Sequence, residues 1–108
     1  MKNEFNNLSQ TEVLILKSLQ SGRKLYGLEI RKVIEQTFGR PLNFSALYPK
    51  LELLQAKGFI TDEDAHDTPN KQTNTRRKYF QITDAGTQVL SDWESAYTAV
   101  GNYVPQGV

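Results

Sequence analysis

The chain has 108 residues, 38% of them hydrophobic and 23% charged, with a formal net charge of +1. That length supports one domain around one core, and the composition is ordinary for a globular protein. With no cysteine there is no disulfide framework or thiolate metal site, and no run approaches the roughly 18 consecutive apolar residues of a membrane span.

The opening residues, Met1 to Phe5, contain no apolar stretch of the kind that directs secretion, so the expected compartment is the cytoplasm. Glycines Gly22, Gly39, Gly58 and Gly101 each follow a helix-like segment and read as stop signals, because glycine accepts the left-handed conformation that closes a last turn.

The first helix opens on Ser9-Gln10-Thr11-Glu12, the spacing of a capping box, with Leu8 and Val13 placed for a hydrophobic staple. Its run Val13-Leu14-Ile15-Leu16 with Leu19 is apolar on more than one face, which fits either core or contact with a second subunit. The second helix spans about Tyr26 to Phe38, with Ile30, Val33, Ile34 and Phe38 on one stripe. Gly27 near its start leaves room for another backbone to pass closely.

The third helix is expected from about Ser45 to Lys57. Ser45 is placed as N-cap, so that Pro49 falls at the end of the first turn, where a missing N–H does least harm. With Asn43 as cap, Pro49 would lie deeper and break the ladder. Leu47, Leu51 and Leu54 form the inward stripe, while Ala46, Pro49, Lys50, Leu53 and Lys57 occupy the opposite face.

Two short strands follow, Phe59 to Asp64 and Arg77 to Thr83, the second alternating Phe80 and Ile82 with Tyr79 and Gln81. Between them residues 65–76 form a long polar link. A fourth helix, capped by Thr83, runs to about Val100 with Ala85, Val89, Trp93, Tyr97 and Val100 recurring every three or four residues. The fold class is therefore mainly α with a small β-hairpin. Helix, glycine stop, strand, polar tip and basic strand is the order of a winged helix-turn-helix, here over residues 1–83. Residues 84–108 then make a C-terminal dimerisation helix and tail.

With these residues in place the chain resembles the PadR family of bacterial transcriptional regulators. The resemblance rests on Tyr26-Gly27-Leu28-Glu29-Ile30, on Leu47-Tyr48-Pro49-Lys50-Leu51, on Gly58-Phe59-Ile60 and on Arg77-Lys78-Tyr79-Phe80-Gln81-Ile82-Thr83-Asp84-Ala85-Gly86. It covers about Leu8 to Trp93. Three departures stand out. Leu53-Leu54-Gln55 replaces a common Arg-Leu-Glu, and Lys71-Gln72-Thr73-Asn74-Thr75 replaces a Gly-Arg-rich wing turn. The chain stops soon after the fourth helix, as in the family's shorter branch.

The resemblance implies a sequence-specific regulator of double-stranded DNA, more in the manner of a repressor, acting as a homodimer on a palindromic operator. A helix of this kind lies in a major groove whose donor and acceptor pattern distinguishes all four base pairs. Asn43, Ser45, Tyr48 and Lys50 are placed near DNA. Lys71, Arg76, Arg77 and Lys78 are placed at phosphates, where neutralised charge releases counterions. An alternative for the basic strand is pairing with Asp62-Glu63-Asp64 across the hairpin.

Val89, Trp93, Tyr97 and Val100 form the expected dimer interface, since large aromatics are enriched in interface cores. The resemblance further implies a small, flat, apolar effector near that interface; interface packing without a ligand is the alternative. No cofactor or metal is expected, and no enzyme: the single histidine, His66, has no second His or Cys ligand, and no nucleophile has an ordered base nearby. The rival function is a winged helix that contacts protein rather than DNA, which near-neutral net charge and an outward Leu53 would suit.

Overall fold

A computed structural model describes residues 8–64 and 78–105. Its elements are α1 (Gln10–Ser18), a 3-10 turn (Gln20–Gly22), β1 (Leu25–Tyr26), α2 (Gly27–Phe38), α3 (Phe44–Ala56), β2 (Ile60–Asp64), β3 (Lys78–Ile82) and α4 (Asp84–Asn102). The strands form one antiparallel sheet in the order β1-β3-β2. The expected hairpin is thus joined by a third strand. β1 is too short for any period of two to show in sequence.

The capping box of α1 is present: Ser9 N–H donates to Glu12 Oε1 at 2.9 Å, and Glu12 N–H donates to Ser9 Oγ at 3.3 Å. The surplus apolar residues of α1 are core, with Val13, Ile15, Leu16 and Leu19 all buried. They join Ile30 and Ile34 of α2, Leu47, Leu51 and Leu54 of α3, Phe59, Ile60 and Phe80 at the sheet, and Val89 and Leu90 of α4. α1 therefore packs against α2, α3 and α4, while α2 and α3 also meet the sheet. An ion pair between Lys17 and Glu94 links α1 and α4 at the surface.

Two helix ends differ from expectation. Asn43, not Ser45, caps α3: its Oδ1 accepts Ala46 N–H at 3.0 Å, which makes Pro49 the sixth helical residue. The helix continues because the carbonyl Pro49 cannot engage is that of Ser45, and both residues lie on the solvent side. Water can satisfy that carbonyl at low cost, unlike one facing the core. Gly101 does not stop α4, which runs to Asn102 and is capped at Tyr103. Glycine is tolerated inside a helix whose exposed end packs on nothing.

By contrast, Gly58 closes α3 as expected. At φ +81° it lets Gly58 N–H reach Gln55 O and Phe59 N–H reach Leu54 O, both at 2.9 Å, the paired bonds of a Schellman turn. That turn delivers Phe59 and Ile60 into the core and sets the angle between α3 and the wing. Among the described residues no helix is long and apolar enough to cross a membrane. Nor, among them, is there a group of three or more His, Cys, Asp or Glu that could hold a metal ion.

Candidate nucleic-acid interface

The outer face of α3 is set by its inward one. Burial of Leu47, Leu51 and Leu54 leaves Ser45, Ala46, Tyr48, Pro49, Glu52, Leu53 and Ala56 exposed. Asn43 and Ser45 lie together at the exposed start of the helix, where Ser45 Oγ–H donates to Asn43 Oδ1 at 2.8 Å. A helix N-terminus carries the positive end of the macrodipole, which favours a nearby anion.

Tyr48 leans back along the surface toward α2. Its ring stands 5.4 Å from that of Phe44, and its hydroxyl lies 2.7 Å from where a Cβ at residue 27 would sit. The close approach at Gly27 is therefore made by this side chain, not by a second backbone. Beneath it the Arg31 guanidinium covers the Phe44 ring at 4.7 Å, and its Nε lies 3.5 Å from Glu35 Oε2. Glu35 Oε2 also accepts Leu42 N–H at 2.7 Å. That backbone bond, aided by Arg31 and opposed by partial burial, holds the Glu35 carboxyl below its ordinary range. The network spans the turn between α2 and α3 and fixes the pose of the outer face.

Lys50 and Lys57 do not share the outer face, contrary to the helical reading of the sequence. Both turn toward α1, with Lys57 Nζ 3.3 Å from Glu12 Oε2 and Lys50 Nζ 3.9 Å from Glu12 Oε1. Glu12 is only 2% exposed. Burial pushes its carboxyl up, but the bonds from Ser9 and the Lys57 ammonium more than offset this and hold it below the ordinary value. A glutamate at the third helical position reads as half of a capping box; its second role needs α3 in place.

In the wing, Lys78 stands opposite Asp64 in register, yet its ammonium reaches Asp62 Oδ2 at 3.5 Å. The cross-hairpin pairing foreseen as the alternative thus exists for Lys78. Its side chain is 57% exposed, and an exposed pair of this kind is worth at most about 1 kcal/mol and exchanges easily for another anion. Lys24, on the segment before β1, pairs in the same way with Glu63 at 3.4 Å. Lys71, Arg76 and Arg77 lie outside the described residues, as does His66.

Two tyrosines tie the wing to the start of α2, an arrangement the sequence reading missed. Tyr26 and Tyr79 are register partners with rings stacked at 4.2 Å and hydroxyls 2.6 Å apart. Only the pairing of β1 with β3 brings them together.

On α4, Val89 belongs to the protomer's own core at 4% exposure, and Trp93 is half-buried against that core. Trp93 stacks on Tyr97 at 4.9 Å, while Tyr97 and Val100 are 64% and 79% exposed. Tyr103 and Val104 extend the exposed apolar run beyond the helix. A shallow groove of about 190 Å³ between α1 and the turn after α2 has Leu14, Ile34, Phe38 and Leu42 among its walls but takes no residue from α4.

An exposed helix face thus stands beside a two-stranded wing, its pose held by side-chain networks. The sequence profile of the transcriptional regulator PadR-like family matches residues 15–92. The chain is 33% identical over 81 residues to the negative transcriptional regulator PadR of Bacillus subtilis (strain 168), covering 73% of this chain and 42% of that protein. It thus spans about two fifths of that relative's length.

Among solved structures, the putative transcriptional regulator TA0346 of Thermoplasma acidophilum superposes with a TM-score of 0.70 at 27% identity, over 85% of this chain and 84% of that one. A PadR family transcriptional regulator from Eggerthella lenta DSM 2243 gives a TM-score of 0.70 at 25% identity, over 84% and 74% of the two chains. Profile, relative and fold agree: the chain belongs to the PadR-like family of transcriptional regulators, which are not enzymes.

Proposed function

We propose that this chain is a cytoplasmic, sequence-specific DNA-binding repressor that acts as a homodimer on a palindromic operator. The observation that carries the reading is α3 itself, whose buried leucine stripe forces a continuous outer face into solvent beside the wing. The Bacillus subtilis relative, whose name describes a negative regulator, supports repression, and operator occupancy that excludes polymerase is its simplest mechanism.

In this reading residues 1–83 are the DNA-binding unit and residues 84–108 the dimerisation helix and tail. Asn43, Ser45 and Tyr48 meet the groove, and Lys50 reaches DNA from its seat beside Glu12. Lys78 exchanges Asp62 for a phosphate, in company with Lys71, Arg76 and Arg77. Fluorescence anisotropy on a duplex from upstream of the protein's own gene, against a scrambled duplex and over several salt concentrations, tests the reading directly. Arg76→Ala with Arg77→Ala is expected to weaken binding to both duplexes and to reduce the log–log salt slope by about two units per subunit. An unchanged slope would remove the wing from the phosphates.

The exposed apolar end of α4 supports dimerisation through Trp93, Tyr97 and Val100, with Val89 behind them in the protomer core. Two-fold symmetry then places a pair of α3 helices on half-sites about one helical turn, roughly 34 Å, apart. Trp93→Ala is expected to shift the protein from dimer to monomer at micromolar concentration; light scattering that still reports a dimer sinks the assignment. A flat apolar effector would be accommodated among the same aromatics, between the two copies. The rival reading, a winged helix that contacts protein, is favoured by the exposed Leu53 and predicts binding that is insensitive to salt.

A further inference from the structure

The outward face of α3 is unusual in its chemistry. Both lysines of the helix segment, Lys50 and Lys57, are turned aside onto Glu12. Asn43 Oδ1 is taken by Ala46 N–H and Ser45 Oγ–H. Along the middle of what faces outward runs a ridge of Ala46, Pro49 and Leu53, spaced i, i+3 and i+7, all exposed, with Tyr48 and the acidic Glu52 beside it. On the ridge itself no cation of α3 stands to grip guanine bidentately, Lys50 reaching DNA only from its flank beside Glu12, and Glu52 repels phosphate.

We infer that the Ala46–Pro49–Leu53 ridge reads the 5-methyl groups of thymines in the major groove, so that this chain selects T-rich half-sites by apolar contact. The inference rests on the DNA-binding reading above. The major groove offers one apolar feature, the thymine methyl, and small apolar side chains are its partners. Seven residues of helix rise about 10 Å, the length of about three base-pair steps. Burying one methyl on such a surface is worth about fourfold in affinity.

A protein partner suits the ridge less well. Three apolar side chains on one helix, even with Tyr48 beside them, fall far short of the roughly 800 Å² per partner that a stable protein interface buries.

The test begins with selection of bound duplexes from a random pool by the full chain. Each thymine of the selected half-site is then replaced by deoxyuridine, which removes the methyl and keeps the base pairing. Affinity is expected to fall about fourfold at two or more adjacent positions. Leu53→Ala, at a site exposed enough to leave the fold intact by circular dichroism, should abolish that loss at one position and preserve it at the others. Enrichment of a sequence whose deoxyuridine versions bind equally well overturns the inference and leaves the DNA-binding reading standing. A pool that yields no enriched sequence removes both. If Leu53→Ala changes neither affinity nor deoxyuridine sensitivity, the ridge does not read the bases and the inference is overturned.

Discussion

Gly86→Ala is expected to lower the stability of the fold by about 3 kcal/mol and its melting temperature by about 10–15 °C. A Cβ on Gly86 would stand 2.1 Å from the carbonyl oxygen of Phe59 and 2.8 Å from Ile82 Cγ1. The oxygen belongs to a backbone that is already committed, since Phe59 O accepts Thr83 N–H at 3.0 Å. Thr83 in turn caps α4 by accepting Gly86 N–H at 3.0 Å, and its hydroxyl donates to Gly58 O at 2.7 Å. The end of α3, the approach to β2 and the first turn of α4 therefore meet at one point, where Gly86 leaves the space that the Phe59 carbonyl and the Ile82 side chain occupy.

Alanine's better helix propensity, about 1 kcal/mol, offsets only part of the displacement it forces. Gly101→Ala is the internal control. It lies in the same helix with nothing within 4 Å of its added carbon, and a gain of a few tenths of a kcal/mol is expected. Thermal denaturation of the two variants should give shifts of opposite sign; a Gly86→Ala melting point within a few degrees of the parent would show that the junction can open without strain.

Glu12→Ala is expected to cost about 3 kcal/mol, combining loss of the reciprocal cap, about 1 kcal/mol, with loss of the anion that two lysines of the α3 segment surround. Lys57 and Lys50 are 23% and 37% exposed in their side chains, so water relieves part of their lost pairing. The pH dependence has a definite sign. The folded-state carboxyl titrates below its ordinary 4.5, so its stabilisation is complete above that value and disappears as pH falls through the lower, folded one. Glu12→Gln keeps an acceptor for Ser9 N–H but not the charge. Urea denaturation of the parent and this variant should show a stability gap at pH 7 that closes below about pH 4.5. A constant gap would mean that the lysines gain nothing from the charge. Glu35, also held low, remains in both proteins and cancels in the comparison.

Much of this architecture is legible locally. Ser9 and Glu12 announce α1 because a capping box is a contact within one turn, and Gly58 announces the end of α3 because a Schellman turn needs a left-handed residue. The Thr83 cap and the glycine three residues later are equally local. What escapes the sequence is decided by distant partners. Lys50 looks outward by helical angle, but a four-carbon stem bends toward a buried carboxylate that only the packing of α1 on α3 supplies. Pro49 looks prohibitive at its depth until it and Ser45, whose carbonyl it leaves free, are placed on the exposed side of the helix. β1 has two residues and no periodicity, and exists because β3 offers it an edge. At the candidate interface Asn43 and Ser45 are surface groups at a visible helix start, whereas the aromatic support of Tyr48 by Phe44 and Arg31 depends on how α2 crosses α3.

The strand order has a consequence for how the chain acquires its shape. β3, last of the three in sequence, lies in the centre of the sheet, with Leu25 facing Phe80 on one side and Ile60 facing Ile82 on the other. Until residues 78–82 arrive, β1 and β2 have no neighbour to bond, and the cluster beneath them lacks Phe80, Val89 and Leu90. Contacts of such long sequence separation close late and slowly. A chain that ends before residue 78 therefore lacks the central strand of the sheet, and with it the frame on which β1 and β2 both depend.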